Sequence, residues 1–393
     1  MFLLRSGLFS NMALVVLALG AGTGVSRAQA PVKIGFVTTL STPAGYLGEE
    51  IRNGFQVAID AERGRLGGVP VELVIADDAA KTDIGKTHVD RIFSKDGARI
   101  FSGIVFSNIA DAALPDLLSK GGFYVSANAA PNELAGKRCH PNYFVASWQA
   151  GSQSDVAGEM ANRRGVKNAF LIAPNYTAGL DQIAGFKRLY KGAIRGEILT
   201  KINQTDYASE IAEIRAAKPD AIYFFLPGGM GINFIKQIHQ AGLQGTALLA
   251  PMSVDDRIIE SIGEGSVGIF TTSFWNWDLE VPASKEFVEA YRAKHKKVPT
   301  TYAAQGYDAA RLIGSALRSV GGDVSKADAF RAALKKADFQ SVRGNFRFSN
   351  NNHPIQDWYM REVVKGPAGV PTLRTVANIA KDYKDPYGAE CKM

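Results

Sequence analysis

"VKIGFVTTLSTPAGYLGEEIRNGFQVAIDAERGRLGGVPVELVIADD" fills residues 32–78. It opens on a near-continuous apolar run, residues 32–40, the make-up of a strand buried on both faces. Residues 37–47 carry no charge and are rich in hydroxyls and small side chains, with one tyrosine, Tyr46. A helix is predicted from about residue 48 to 63, and a second strand over 69–77. Strand, loop, helix, strand is the repeating unit of a parallel sheet, because parallel neighbours need a long crossover. The uncharged loop therefore lies outside the carboxyl end of a strand, where open α/β sheets bind ligands.

The same alternation runs on through the chain. Strands are predicted at 100–106 and 123–127, with helices at 83–95 and 110–120. After a break at 139–148 it restarts. Strands are expected at 168–174, 198–202, 221–226, 247–250 and 267–273, and helices at 180–190, 207–217 and 230–241. Helices follow at 283–295, 302–320 and 326–337, and the end is antiparallel in character at 344–348, 358–364 and 372–379. The fold class is α/β, with two doubly wound halves of similar size, which 393 residues can furnish.

The N-terminus carries Arg5, an apolar run over 12–19 too short to span a bilayer, and Ala28-Gln29-Ala30. That is the layout of a secretory signal peptide over residues 1–30, cleaved after Ala30. Export to the periplasm is expected. Loss of Arg5 and Arg27 lowers the net charge from +7 to +5. The densest basic run is Lys294-His295-Lys296-Lys297. With no basic stripe, zinc spacing or RNA-binding aromatic motif, nucleic acid is not an expected partner. The two cysteines, Cys139 and Cys391, are expected to pair in an oxidising compartment.

Tests for catalysis fail. The strand ends, such as Phe106-Ser107-Asn108, Asn128-Ala129-Ala130, Asn175-Tyr176 and Pro227-Gly228-Gly229, are polar but almost uncharged, without the usual reactive groups. Gly228-Gly229-Met230-Gly231 meets neither the dinucleotide nor the phosphate-loop spacing. The five histidines have no metal-ligand spacing, and no G-x-S-x-G elbow occurs. Asp77-Asp78 is expected to cap the next helix. No metal, cofactor or catalytic residue is expected. Phe270, Phe274, Trp275 and Trp277 cluster at a strand end. Strand alternation would point Trp275 and Trp277 the same way, as an aromatic wall facing a cleft or as core.

Several blocks, in their order along the chain, resemble the branched-chain amino-acid (Leu/Ile/Val-binding) family of periplasmic solute-binding proteins of ABC transporters. They are Val32-Lys33-Ile34-Gly35 with Leu40-Ser41-Thr42-Pro43, residues 53–78, Asn132-Glu133-Leu134, and "TYAAQGYDAARLI" at Thr301 to Ile313. The resemblance implies a type I binding protein: two lobes, three hinge crossovers, and a cleft that closes on the ligand. It implies an N-terminal lobe of 31–147 plus 279–352 and a C-terminal lobe of 148–278 plus 353–393, with hinges at 147–148, 276–279 and 350–354. By position, Tyr46 and Leu47 form a lip of the cleft. Ser107, Asn128, Ala129 and Ala130 hold a ligand carboxylate, and Tyr176, Pro227, Gly228 and Met252 cover it from the other lobe. A monomer, docking on a membrane permease, is the family expectation.

The chain departs from the amino-acid binders at one informative place. Those members carry a glutamate for the ligand's ammonium where this sequence reads Ala250-Pro251-Met252-Ser253, and an unpaired buried ammonium costs several kcal/mol. Ala130 likewise lacks the hydroxyl of their threonine. With Met252, Tyr46, Phe106, Trp148, Tyr176 and Trp275, the cleft suits a flat ring bearing a carboxylate. "SFWNWDLEVPASKEF", at Ser273 to Phe287, also resembles relatives that take up aromatic acids. The expected ligand is of benzoate, hydroxybenzoate or hydroxycinnamate type. The alternatives are a branched-chain or other amino acid, or service as the ligand-sensing subunit of a signalling system.

Overall fold

The computed structural model describes residues 30–393. The expected signal peptide lies outside the described residues, which begin at its last position. Six strands form the first sheet: β1 (Val32–Thr38), β2 (Arg65–Leu66), β3 (Val69–Asp77), β4 (Ile100–Ser102), β5 (Phe123–Ser126) and β6 (Tyr143–Val145). Their order is β2-β3-β1-β4-β5-β6, parallel except for β2, which pairs antiparallel with β3. The second sheet has eight strands: β7 (Asn168–Pro174), β8 (Ala193–Thr200), β9 (Ala221–Phe224), β10 (Ala247–Ala250), β11 (Phe270–Ser273), β12 (Arg347–Phe348), β13 (Pro354–Lys365) and β14 (Pro371–Tyr383). Its order is β12-β13-β11-β10-β9-β7-β8, with β14 on the free side of β13. Strands β7 to β11 are parallel, and β13 runs antiparallel to both β11 and β14.

Apolar residues on both strand faces make both sheets interior layers. Ile34 and Phe36 on β1 are fully buried, as are Tyr124 and Val125 on β5. Helix Gly45–Ala61 buries Leu47, Ile51, Phe55 and Ala58 along one stripe, and the Phe55 ring meets Phe36 edge-on at 5.3 Å. Burying each such side chain contributes about 1.5–3 kcal/mol. This helix crosses helix Thr301–Val320 at Gly54 and Gly306. A Cβ on either would lie within 2 Å of a backbone oxygen on the other helix, at 1.8 Å from Ala303 and 1.9 Å from Ile51 respectively.

Helices Pro282–His295, Thr301–Val320 and Ala327–Lys336 return to the first lobe before the chain re-enters the second sheet at β12 and β13. The chain thus crosses between the lobes three times. Arg343, buried on the last crossing, ties the crossings together. It donates to the Ala146 and Ser147 carbonyls at 2.5 and 2.9 Å, to Gln356 Oε1 at 2.6 Å, and to Asp308 at 3.2 Å. Its guanidinium lies 4.1 Å from the Phe274 ring centre, on the second crossing.

Cys139 and Cys391 are disulfide-bonded, with Cα atoms 5.6 Å apart across 252 residues of sequence. Five strands and α-helices escaped sequence reading: β2, β6, and helices Asn132–Ala135, Ala150–Arg163 and Asp256–Ile262. No helix among the described residues is long and apolar enough to cross a membrane.

Candidate functional site

The two sheets turn the carboxyl ends of their parallel strands toward each other, and a small cavity lies between them. In each sheet the strand order reverses beside the first strand of the lobe, β1 or β7, and such a reversal opens a crevice. From the first lobe come Leu47 after β1, Val105, Phe106 and Ser107 after β4, and Asn128 after β5. From the second come Gln153 on helix Ala150–Arg163, Tyr176 and Ala178 after β7, Phe225 and Pro227 after β9, and Met252 after β10. Trp148 on the first crossing and Tyr302 on helix Thr301–Val320 complete the lining. A wider hollow lined by Val281, Phe339, Phe346 and Arg347 is open to solvent and takes no residue from a parallel strand end.

The loop after β1 is pinned from below. Asp77 accepts from the Leu40 N–H at 2.9 Å, and Asp78 accepts from the Thr39 hydroxyl at 2.6 Å. These carboxylates were expected to cap the next helix; that helix, Thr82–Ser94, has no side-chain cap. They hold the lip of the site instead. Ser107 is the first residue of helix Ser107–Ser119, and Tyr176 is the N-cap of helix Thr177–Leu189. Two helix N-termini, one per lobe, therefore reach the cavity with free backbone N–H groups and the positive ends of their dipoles. No lining residue is charged.

Asn128 is committed to the scaffold: its Nδ2 donates to the Val105 carbonyl at 2.7 Å. The neighbours of Gln305 orient its amide so that nitrogen donates to the Ala127 carbonyl at 2.6 Å and to Asn128 Oδ1 at 3.0 Å. Its oxygen then accepts the Trp148 indole N–H at 2.8 Å. Trp148 is thereby locked at the cavity wall. Phe106 meets Tyr176 edge-on at 6.0 Å, and Tyr176 stacks on Phe225 at 6.4 Å. Burial pushes the Tyr176 and Tyr302 hydroxyls well up from the ordinary range, so both stay neutral donors.

Of the residues expected at the site, Leu47, Phe106, Ser107, Asn128, Trp148, Tyr176, Pro227 and Met252 line the cavity. Tyr46, Ala129, Ala130, Gly228 and Trp275 do not. Tyr46 sits at the cleft mouth, where its hydroxyl donates to Asp255 Oδ2 at 3.2 Å. The Ala129 carbonyl is engaged by Ser126 and Tyr143, and the Ala130 carbonyl accepts from the Ala150 N–H. Gly228, at φ 69°, precedes helix Gly229–Gln240 and faces Ala44 of the other lobe. Trp275 is buried away from the cavity, its indole N–H donating to Ser284 at 2.9 Å and its ring meeting Phe287 edge-on. The aromatic wall fails because β11 ends at Ser273, so strand alternation does not extend to Trp275 and Trp277. Phe225 and Tyr302 supply rings instead.

Sequence reading also missed Val105, Gln153 and Ala178. Gln153 had a readable signal. Helix Ala150–Arg163 is built largely from Ala, Gly and Ser, the composition of a helix packed tightly on every side, and it buries eleven residues.

The lobes touch around the cavity rim. Thr177 Oγ1 donates to Asp111 at 2.8 Å, the Asn132 N–H donates to Asp181 at 2.9 Å, and Tyr46 reaches Asp255. Asp255 also caps helix Asp256–Ile262 by accepting from the backbone N–H groups of Arg257 and Ile258. Burial pushes its carboxyl up to about 7, reinforced by the charges of Asp256 and Glu50. Burial pushes Asp181 up to about 7 as well, with Asp111 and Glu133 adding to the shift.

A family model described as periplasmic binding protein matches residues 31–368. The Leu/Ile/Val-binding protein homolog 3 of Brucella melitensis is 22% identical over 337 residues, which is 82% of this chain and 89% of that protein. A solute-binding protein of an ABC transporter from R. palustris, solved in complex with benzoate, superposes with a TM-score of 0.88. It is 29% identical and covers 93% of this chain and 100% of its own. Another from Rhodopseudomonas palustris BisB5, solved with 3,4-dihydroxybenzoic acid, gives 0.82 at 26% identity over 91% and 99% of the two chains.

Proposed function

This chain belongs to the periplasmic binding protein family, and we propose that it captures a small aromatic carboxylate between its lobes for an ABC importer. The observation that carries this reading is a lining with five aromatic rings, a methionine, neutral donors and no charged side chain. The carboxylate sits against Ser107 and its helix N-terminus, where aligned N–H donors stabilise an anion without a formal counter-charge. The ring lies among Phe106, Trp148, Tyr176, Phe225 and Tyr302. Ring pairs contribute about 0.5–1.5 kcal/mol each beyond area burial, and Met252 fills the remaining apolar space. The benzoate and dihydroxybenzoate ligands of the two R. palustris proteins support this chemistry.

Binding proceeds in two steps. The ligand docks on one lobe, and the other closes over it. The closed form gains only from contacts it alone makes, here the rim bonds of Tyr46, Asn132 and Thr177. The closed protein then docks on the permease. No bond of the ligand is made or broken.

The names of the sequence relatives favour a second reading, a branched-chain amino acid. That ligand would bury an ammonium with no acid among the lining residues; Asp255 at the rim is spent on its helix cap and on Tyr46. Calorimetric titration with benzoate, p-coumarate and leucine separates the two. Heat from an aromatic acid and none from leucine is expected, and tight leucine binding with silence from the aromatics would overturn the reading.

A further inference from the structure

Gln153 has no assigned task in the scheme above. Its side chain is fully buried, it lines the cavity, and neither its amide oxygen nor its amide nitrogen has a hydrogen-bond partner among the described residues. Native structures seldom keep such a group without a reason, because desolvating an amide without new partners is costly. The other side-chain amide of the lining, Asn128, is already bonded to the Val105 carbonyl. Gln153 therefore offers the cavity an uncommitted donor and an uncommitted acceptor together.

We propose that Gln153 recognises a hydroxyl group on the ring, so that the preferred ligands are phenolic acids rather than unsubstituted aromatic carboxylates. The inference rests on the aromatic-acid reading and deepens it. A carboxylate only accepts, so at Gln153 it could satisfy Nε2 alone and would set a negative charge beside Oε1. A phenolic hydroxyl both donates and accepts, and adjacent hydroxyls could engage both amide atoms. The placement suits closure as well. Ser107 belongs to the first lobe and Gln153 to a second-lobe helix, so a ring carrying polar groups at two positions is held from both sides. The hydroxyl contact forms only as the lobes meet, which makes it a contribution to the closed state.

The test is calorimetric titration of the intact protein with benzoate, 3-hydroxybenzoate and 4-hydroxybenzoate, repeated on Gln153→Leu. Thermal melts confirm folding, and Gln153→Met serves if the leucine variant does not fold. At least one hydroxybenzoate is expected to bind natural protein about tenfold or more tighter than benzoate, since sites built to bond a hydroxyl discriminate strongly against its absence. Gln153→Leu is expected to erase that difference. Equal binding of all three acids by the natural protein, or a preference that survives the substitution, would overturn the proposal. So would a parallel loss of benzoate and hydroxybenzoates, which would place the carboxylate at Gln153. If no aromatic acid binds at all, the function proposed above fails first; if benzoate binds without hydroxyl preference, only this inference does.

Discussion

The Tyr46 hydroxyl of one lobe donates to the Asp255 carboxylate of the other over 3.2 Å, and the pair exists only when the cleft is shut. Tyr46→Phe removes that closed-state bond and leaves each lobe intact. Ligand affinity should fall by about threefold to tenfold, in line with a net hydrogen-bond contribution near 1 kcal/mol. Titration of natural and variant protein under one condition checks it; an unchanged affinity would mean closure does not depend on this contact.

Closure should respond to pH. Asp255 and Asp181 are both pushed up to about 7 by burial between the lobes; in an open cleft they should return toward ordinary carboxylate values. A raised acid pKa favours the protonated closed form, so closure takes up protons between the two values. That contribution is full at low pH and is lost as pH rises through about 7. Affinity measured from about pH 5 to about pH 8 should decline toward neutrality and then level off. Asp181→Asn with Asp255→Asn should make the slope shallower, as read from titrations across the same range.

Gly229 is set for close approach. A Cβ there would lie 2.9 Å from Pro43 Cβ across the cleft. Alanine suits the first turn of helix Gly229–Gln240, so Gly229→Ala should leave the melting temperature near that of natural protein. It should hold the lobes slightly apart and weaken ligand about tenfold, a cost near 1.4 kcal/mol. Small-angle scattering with ligand present should report a more open particle.

Arg343 and Asp308 form a buried ion pair at 3.1 Å where the crossings meet. Removing one partner of such a pair typically costs about 3–5 kcal/mol. Arg343→Met should therefore lower the denaturation midpoint substantially, since it strands the Asp308 charge and leaves the Ala146 and Ser147 carbonyls without their donor. A melting curve like that of natural protein would contradict this account.

Trp275 and Phe225 should part company under substitution. Trp275→Phe should lose about 1–2 kcal/mol of stability through a smaller ring and the lost Ser284 bond, with ligand affinity within about twofold of natural protein. Phe225→Ala should weaken the ligand at least about tenfold, because its ring lines the cavity. Chemical denaturation and titration of both variants test the contrast.

The architecture was legible because buried parallel strands write long apolar runs. Strand β3 fell on its predicted bounds, as did β7 and β10. Short β6 did not register, because three residues give no pattern. Helix Ala150–Arg163 was hidden because burial on nearly every side removes the amphipathic contrast that periodicity detects. Most first-lobe site residues could be placed from their position after a strand. Tyr302 and Gln153 could not, since one arrives from a helix far along the chain and the other from that hidden helix. Trp275 misled because a tryptophan beside a cleft looks much like one beneath it.

The Cys139–Cys391 bond encloses all three passages between the lobes within one covalent ring. A protease that cuts any single passage would produce two fragments still joined through sulfur. Damage at the pivot would thus be invisible on a non-reducing gel, and the severed molecule could keep its two halves in register.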